Sequence, residues 1–128
     1  MPVGGVSVLV VDDEPSLRLL CRVNLELDGF DVHEASTIPE ARERLEERPI
    51  SVVLLDVHVG AGDGRDLLGE LRARESPTRV LMLTGTADIA TSNLDDADGV
   101  MAKPFDPAKL VAAVRELADV DANGEPSA

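Results

Sequence analysis

The feature that most constrains the fold is a set of short apolar runs, separated by segments that have the period of a helix. The runs are Val6 to Val11, Ile50 to Leu55, Arg79 to Leu83 and Gly99 to Ala102. They are mostly continuous in Val, Leu and Ile, which is typical of parallel strands that are buried on both faces. Phe30 to Ala35 alternates between apolar and polar residues instead, and therefore predicts a strand at the edge of the sheet.

The first predicted helix follows the first strand. Leu17, Leu20, Cys21 and Leu27 fall on one arc of this helix and are expected to face the core. The helix is expected to end at Asp28-Gly29, because glycine readily adopts the backbone conformation that follows a helix. The sequence therefore places a helix directly between the first strand and the edge strand.

Three more helices are indicated by their start signals. Thr37 and Glu40 form a capping box that opens a helix through Arg48, and a third helix runs from Asp63 to about Glu75. Asp106-Pro107 begins the last helix, whose buried stripe is Leu110, Val114 and Leu117. Strands and helices thus alternate along the chain. This order predicts an α/β fold in which helices cover both faces of a five-stranded parallel sheet.

The composition limits the possible classes of protein. The chain has 128 residues, which suits one domain, expected at 1–119 with a flexible tail at 120–128. A net charge of −13 disfavours direct contact with nucleic acid or with an acidic membrane surface. No apolar stretch is long enough to span a membrane, and no signal peptide is visible. The single cysteine, Cys21, gives no sign of an oxidising compartment, so we expect a cytoplasmic protein.

Polar residues stand where the predicted strands end. Asp12 and Asp13 follow the first strand, Asp56 the third, Thr84 the fourth and Lys103 the fifth. Ligands of such sheets gather at the carboxyl ends of the strands, so we expect one converging site. Crowded carboxylates repel one another unless a cation compensates, and Mg²⁺ prefers carboxylate, water and phosphate oxygens. With Lys103 and the Thr84 hydroxyl, the site suits a phosphoryl group, which a carboxylate can accept as an acyl phosphate.

These residues carry a resemblance to a known family. The chain resembles the receiver domains of two-component response regulators, including the chemotaxis type, through five ordered motifs: Asp12-Asp13, Asp56, Asp63-Gly64, Thr84-Gly85 and Lys103-Pro104-Phe105. The resemblance covers nearly the whole chain. It implies a flavodoxin-like fold with strand order 2-1-3-4-5 and five helices. It also implies a signalling protein rather than an enzyme, which catalyses only its own phosphorylation and dephosphorylation.

The resemblance also implies a function for each site residue. Asp56 would be the phosphoacceptor, and a histidine kinase or a histidine phosphotransfer protein would be the donor. Asp13 and Asp56 would bind Mg²⁺ directly, Asp12 would bind it through water, and the backbone carbonyl of His58 would complete the set. Thr84 and Lys103 would hold the phosphoryl oxygens, and Lys103-Pro104 resembles the cis peptide of the family. The phosphorylated form would signal to a downstream effector protein, because the chain contains no output domain.

Several positions depart from the family pattern. Val59-Gly60-Ala61 replaces a methionine-proline-glycine run after the phosphoacceptor, so that loop is expected to be more mobile. Val100 stands where the family usually keeps a switching Tyr or Phe. The segment from Thr84 to Lys103 is shorter than usual, so the fourth helix, near Asp88 to Leu94, is expected to be short or irregular.

Alternatives remain at this stage. The departures favour, as a second hypothesis, a receiver-like scaffold that binds partners without phosphorylation. A flavin carrier or a phosphatase on a related fold is disfavoured, because Asp12-Asp13 would repel a flavin phosphate and no Asp-x-Asp pair is present. Leu19 and Val23 lie off the core arc of the first helix, where they are either ordinary exposed residues or part of a kinase-docking patch.

Overall fold

The fold is an alternation of strands and helices around one central sheet. The structure, a computed structural model, describes residues 6–85, 94 and 96–123. In chain order, its elements are β1 (Ser7–Val11), α1 (Pro15–Leu27), β2 (Asp31–Ala35), α2 (Ile38–Glu47), β3 (Val52–Asp56), β4 (His58–Val59), β5 (Gly62–Asp63), α3 (Gly64–Ala73), β6 (Arg79–Gly85), β7 (Gly99–Lys103) and α4 (Pro107–Asn123).

The central sheet is parallel throughout and has the order β2-β1-β3-β6-β7. This is the predicted order 2-1-3-4-5 once the strands of this sheet alone are counted. The alternating segment forms the edge strand β2, and the continuous apolar run of β3 is buried at every position. The sequence prediction of an α/β fold with a five-stranded parallel sheet is therefore confirmed.

Two layers of buried side chains cover the two faces of the sheet. On one face, α1 and α4 pack on the sheet through Cys21, Leu25, Leu110 and Val114. On the other face, α2 and α3 pack through their own buried side chains: Ile38, Ala41, Leu67, Leu68 and Leu71. The expected stripe of α4 is present, since Leu110 and Val114 are fully buried and Leu117 packs against the same layer.

The core arc predicted for α1 is partly wrong. Cys21 and Leu25, one turn apart, are the fully buried pair, whereas Leu20 and Leu27 are exposed. Leu27 is the last residue of the helix and lies well around the helix axis from Leu25, so it faces solvent. Gly29 does end the helix turn, with a φ of 99° that glycine adopts without strain.

The loop after Asp56, for which the sequence predicts greater mobility, has regular structure, and its mobility stays a prediction. It forms a short antiparallel hairpin of β4 and β5, in which the side chain of Val59 is buried. Gly60, at a φ of 59°, makes the turn possible because it carries no side chain. The hairpin gives the residues after the third strand of the sheet a defined backbone.

Two expectations concern the ends of the described ranges. The short helix expected near Asp88 to Leu94 falls on residues of which only Leu94 is described, so it lies outside the described residues. Helix α4 continues to Asn123, into the segment 120–128 that the sequence predicts as a tail. Among the helices that the structure describes, none has the length and apolar character needed to cross a bilayer.

The carboxylate of Asp98, the residue directly before β7, bonds to the backbone of β6 and stabilises the pairing of the two strands. Asp98 accepts hydrogen bonds from the Val80 backbone N–H at 2.8 Å and from Arg72 at 2.6 Å, and it lies 3.3 Å from Arg79. Burial alone would raise the pKa of Asp98, but these donors outweigh it and hold the pKa below the ordinary value. The ionised carboxylate therefore stabilises the attachment of the strand that carries Lys103.

We expect Asp98→Asn to lower the free energy of unfolding by about 1–3 kcal/mol at pH 7, because the ionised acceptor is lost. Since folding lowers the pKa of Asp98, its contribution is complete above the ordinary pKa of 3.8 and is lost as the pH falls through the lower folded value. Urea unfolding of both proteins at pH 7 and below pH 4 measures this difference. A gap between them that widened on acidification would contradict the assignment.

Candidate functional site

The polar residues at the strand ends converge at one edge of the sheet. Asp12 follows β1, Asp56 ends β3 and Lys103 ends β7. Parallel strands bring their carboxyl ends to the same side, and the pairings β1–β3, β3–β6 and β6–β7 place these residues around one point. The expected convergence is therefore present.

Lys103 joins the two buried carboxylates. Its Nζ lies 2.6 Å from Oδ2 of Asp56 and 3.0 Å from Oδ2 of Asp12. Asp12 is fully buried and Asp56 is 8% exposed, so the ammonium group neutralises charge that water reaches poorly. The peptide between Lys103 and Pro104 is cis, as the resemblance implies.

The electrostatics of the site follow from this arrangement. Burial raises the pKa of Asp12, although the Glu14 backbone N–H and the Lys103 ammonium act in the opposite direction. Burial alone would lower the pKa of Lys103, but its bonds to Asp56 and Asp12 outweigh this and raise it. Lys103 is therefore a cation at neutral pH.

Asp13 completes a group of three carboxylates. Oxygen atoms of Asp12, Asp13 and Asp56 lie within 4.8 Å of one another, and Asp13 is exposed while the other two are buried. Oxygen donors at this spacing suit a hard divalent cation such as Mg²⁺, which is usually bound by one or two carboxylates and several water molecules. The chemistry of the donor set therefore fits the metal that the sequence predicts.

The two remaining predicted residues, Thr84 and His58, lie beside this network. Thr84 is fully buried in β6, directly after Leu83, which pairs with Asp56. Its hydroxyl donates to the Gly85 carbonyl at 3.2 Å rather than to a carboxylate. His58 has an exposed side chain, and its backbone N–H donates to Oδ1 of Asp56 at 3.2 Å. Metal binding by its carbonyl stays a prediction.

The buried cysteine behind the site is not suited to chemistry. Burial, aided by the charge of Asp12, raises the pKa of the Cys21 thiol to about 12. A thiol in this state is protonated at neutral pH and is a poor nucleophile. Cys21 therefore belongs to the core between α1 and the sheet, as the sequence favours.

Gly64 has a steric function that the sequence does not reveal. It is the first residue of α3, and its N–H donates to the Val57 carbonyl at 2.7 Å. A methyl group here would overlap the main-chain oxygen of Asp56 and would also crowd Leu55. The glycine of the Asp63-Gly64 motif thus lets the helix approach the backbone of the residue predicted to be phosphorylated.

An apolar cavity of about 310 Å³ opens beside Lys103. It lies between the start of α1 and the segment after β7, and its lining residues are Glu14, Leu17, Leu20, Lys103, Pro104 and Phe105. The polar cluster is therefore flanked on this side by an apolar surface.

Comparison with known proteins gives one consistent result. The family model described as the response regulator receiver domain matches residues 8–115. Among curated proteins, the transcriptional regulatory protein SrrA of Staphylococcus aureus is 34% identical over 115 residues, which cover 87% of this chain and 47% of that protein. The chain thus spans about half the length of this curated relative.

Solved structures have the same fold. A response regulator receiver domain protein from Clostridium thermocellum superimposes with a TM-score of 0.84 at 26% identity, covering 94% of this chain and 99% of that one. A response regulator from Thermotoga maritima superimposes with a TM-score of 0.76 at 28% identity, covering 88% and 97%.

A matched pair of substitutions tests the approach of α3 to Asp56. We expect Gly64→Ala to destabilise the protein by about 1–3 kcal/mol, because the new methyl group displaces the backbone at the end of β3. Gly69→Ala, in the same helix with open space around it, should stabilise by about 0.5–1 kcal/mol. Urea unfolding measures both. Equal stabilities of the two variants would show that the close approach has no energetic consequence.

Proposed function

The chain belongs to the response regulator receiver domain family, and on that premise we propose that it accepts a phosphoryl group on Asp56 with Mg²⁺ bound beside it. The observation that carries the proposal is the cluster of three carboxylates in which Lys103 bonds to Asp12 and Asp56. The cluster combines an acceptor, a metal-binding donor set and a fixed positive charge. Phosphoryl transfer needs these groups at one point.

In the proposed reaction, a carboxylate oxygen of Asp56 attacks the phosphorus atom of the donor. An oxygen–phosphorus bond forms, the bond from phosphorus to the imidazole nitrogen of a donor phosphohistidine breaks, and an acyl phosphate results. Mg²⁺ bound by Asp13 and Asp56, through water by Asp12 and by the His58 carbonyl would supply positive charge to the phosphoryl oxygens. Lys103 and Thr84 would hold the same oxygens from the other strand ends. We propose that catalysis is confined to this phosphorylation and to its reversal by water.

The partners that we propose are proteins. A histidine kinase or a histidine phosphotransfer protein would be the donor, and an effector protein would recognise the phosphorylated form, in the cytoplasm. The net charge of −13 disfavours nucleic acid as the direct partner of these residues.

The surface that we propose for the donor is a ridge on α1. Leu19, Val23 and Leu27 follow one another at four-residue intervals and are 59%, 46% and 83% exposed. Such a ridge packs into the groove of a partner helix. It begins near the end of α1 that adjoins the apolar cavity, so a partner bound there would lie close to Lys103, which bonds to Asp56.

The phosphoacceptor assignment is tested by intact mass after incubation with Mg²⁺ and acetyl phosphate. We expect a single phosphoryl adduct on the wild-type protein and none on Asp56→Asn, because the amide is a poor nucleophile. Removal of Mg²⁺ with a chelator should abolish the adduct. An adduct of equal yield on Asp56→Asn would overturn the assignment.

A folded wild-type protein that acquires no adduct from acetyl phosphate or from a histidine kinase would instead favour the second candidate function, phosphorylation-independent binding. The half-exposed Val100 on β7 favours this candidate, because it stands where the family usually has a switching aromatic residue.

The donor surface is tested by comparing two phosphodonors. We expect the double variant Leu19→Ala, Val23→Ala to receive phosphoryl groups from a phosphorylated histidine kinase about tenfold more slowly, because apolar contact area is lost. Its reaction with acetyl phosphate, which needs no docking, should be unchanged. Val100→Ala, whose side chain has nearly the same exposure as Val23, is the matched control. Equal slowing with both donors would place the effect in the site rather than in docking.

A further inference from the structure

Arg18 on α1 contacts the backbone of the loop between β1 and α1, which contains Asp12 and Asp13. One terminal nitrogen of its guanidinium group donates to the carbonyl oxygen of Asp12 at 2.6 Å. Its Nε donates to Glu34 of β2 at 3.1 Å, and the Arg18 side chain is only 17% exposed. The side chain thus bridges the edge strand of the sheet and the loop that carries two predicted metal-binding residues.

The bond from Arg18 replaces a sheet hydrogen bond that the strands no longer provide. The N–H of Asp12 donates to the Ala35 carbonyl at 3.1 Å, but β2 ends at Ala35. In the register of this parallel pair, the next donor to the Asp12 carbonyl would be the N–H of Thr37, which lies beyond the end of β2 and is the N-cap residue of α2. The Asp12 carbonyl, beyond the last residue of β1, receives its donor from the guanidinium group.

This carbonyl belongs to the peptide group that joins Asp12 to Asp13. The peptide group is planar, so a hydrogen bond that orients its oxygen also orients the bond to the α-carbon of Asp13. Within the described part of the chain, the Asp13 carboxylate itself makes no hydrogen bond or ion pair. Its direction towards Asp56 therefore depends on the backbone that Arg18 holds.

The position of Arg18 is unfavourable for a site that has to attract a cation. It lies in the first turns of α1, where the helix dipole disfavours a cation, and it lies beside a predicted cation site. Glu34 offsets this charge, and its second oxygen is bonded to Arg22 at 2.6 Å. Arg22 lies one turn further along the same helix, and it donates to Glu34 and to Glu26.

We propose that Arg18 is a positioning residue for the Mg²⁺ site, which acts by holding the Asp12–Asp13 peptide so that the Asp13 carboxylate faces Asp56. This inference rests on the proposed function for the identity of the metal. It assigns a task to a residue outside the metal-binding set, in the way that outer hydrogen bonds orient metal ligands in other sites.

The test is the affinity for Mg²⁺, measured by isothermal titration calorimetry because the chain has no Trp or Tyr to report binding. We expect Arg18→Ala to weaken Mg²⁺ binding about tenfold, and Arg18→Lys to give an intermediate affinity. Arg22→Ala removes an equal charge and a bond to the other oxygen of Glu34, and should bind Mg²⁺ like the wild type. With acetyl phosphate, Arg18→Ala should need more Mg²⁺ for half-maximal phosphorylation, and should approach the wild-type rate when saturated.

Electrostatics alone predicts the opposite sign. Removal of a cation near three carboxylates would tighten Mg²⁺ binding, so an affinity in Arg18→Ala equal to or higher than that of the wild type would overturn the proposal. Equal weakening in Arg18→Ala and Arg22→Ala would also overturn it, because the loop bond would then be irrelevant. A wild-type protein that binds no Mg²⁺ would overturn both this inference and the metal part of the proposed function. A wild type that binds Mg²⁺ but accepts no phosphoryl group would leave the calorimetric comparison decisive for Arg18.

Discussion

The arrangement of the whole site depends on the bonds between the Lys103 ammonium and the carboxylates of Asp12 and Asp56. A buried carboxylate is costly unless it is paired, and here two of them stand at neighbouring strand ends. Lys103 comes from the far edge strand, so its bonds span β1, β3 and β7. The sheet must therefore place its edge strand accurately, and the bonds of Asp98 to Val80 and Arg72 at the opposite end of β7 secure that placement.

Much of this could be predicted from the sequence, since the signals are local and repeated. Continuous apolar runs predict buried parallel strands, and in such a sheet the residues that follow Val11 and Leu55 must meet at one edge. The convergence of Asp12, Asp56 and Lys103 thus depends on topology alone. The cis peptide at Lys103-Pro104 came from the family resemblance rather than from any local pattern.

The features that escaped prediction depend on distances between elements that are remote in sequence. In the sequence, Gly64 is indistinguishable from an ordinary turn glycine. Its steric function follows only from the close approach of α3 to the backbone of Asp56 in the structure. The burial of Val59 depends on a hairpin of only four paired residues, too short to give an alternating pattern. For Arg18, the sequence offers one indication, a cation in the first turns of a helix, where the helix dipole disfavours it. Its bond to the Asp12 carbonyl could not be predicted, because that bond depends on where β2 ends.

The charges of the site explain why a divalent cation and a phosphoryl group suit it together. Three carboxylates and one ammonium leave two negative charges, which a divalent cation would balance. Phosphorylation of Asp56 would replace one carboxylate charge with a phosphoryl group that carries about −1.5 to −2 at neutral pH. The oxygen of Asp56 that now bonds to Lys103 would lose charge on becoming the carbonyl oxygen or the bridging oxygen of the acyl phosphate, so the ammonium would bond more strongly to the phosphoryl oxygens. A change of partner at Lys103 would then alter the bond that joins β7 to β3, which is a direct physical route from the chemistry to the edge strand.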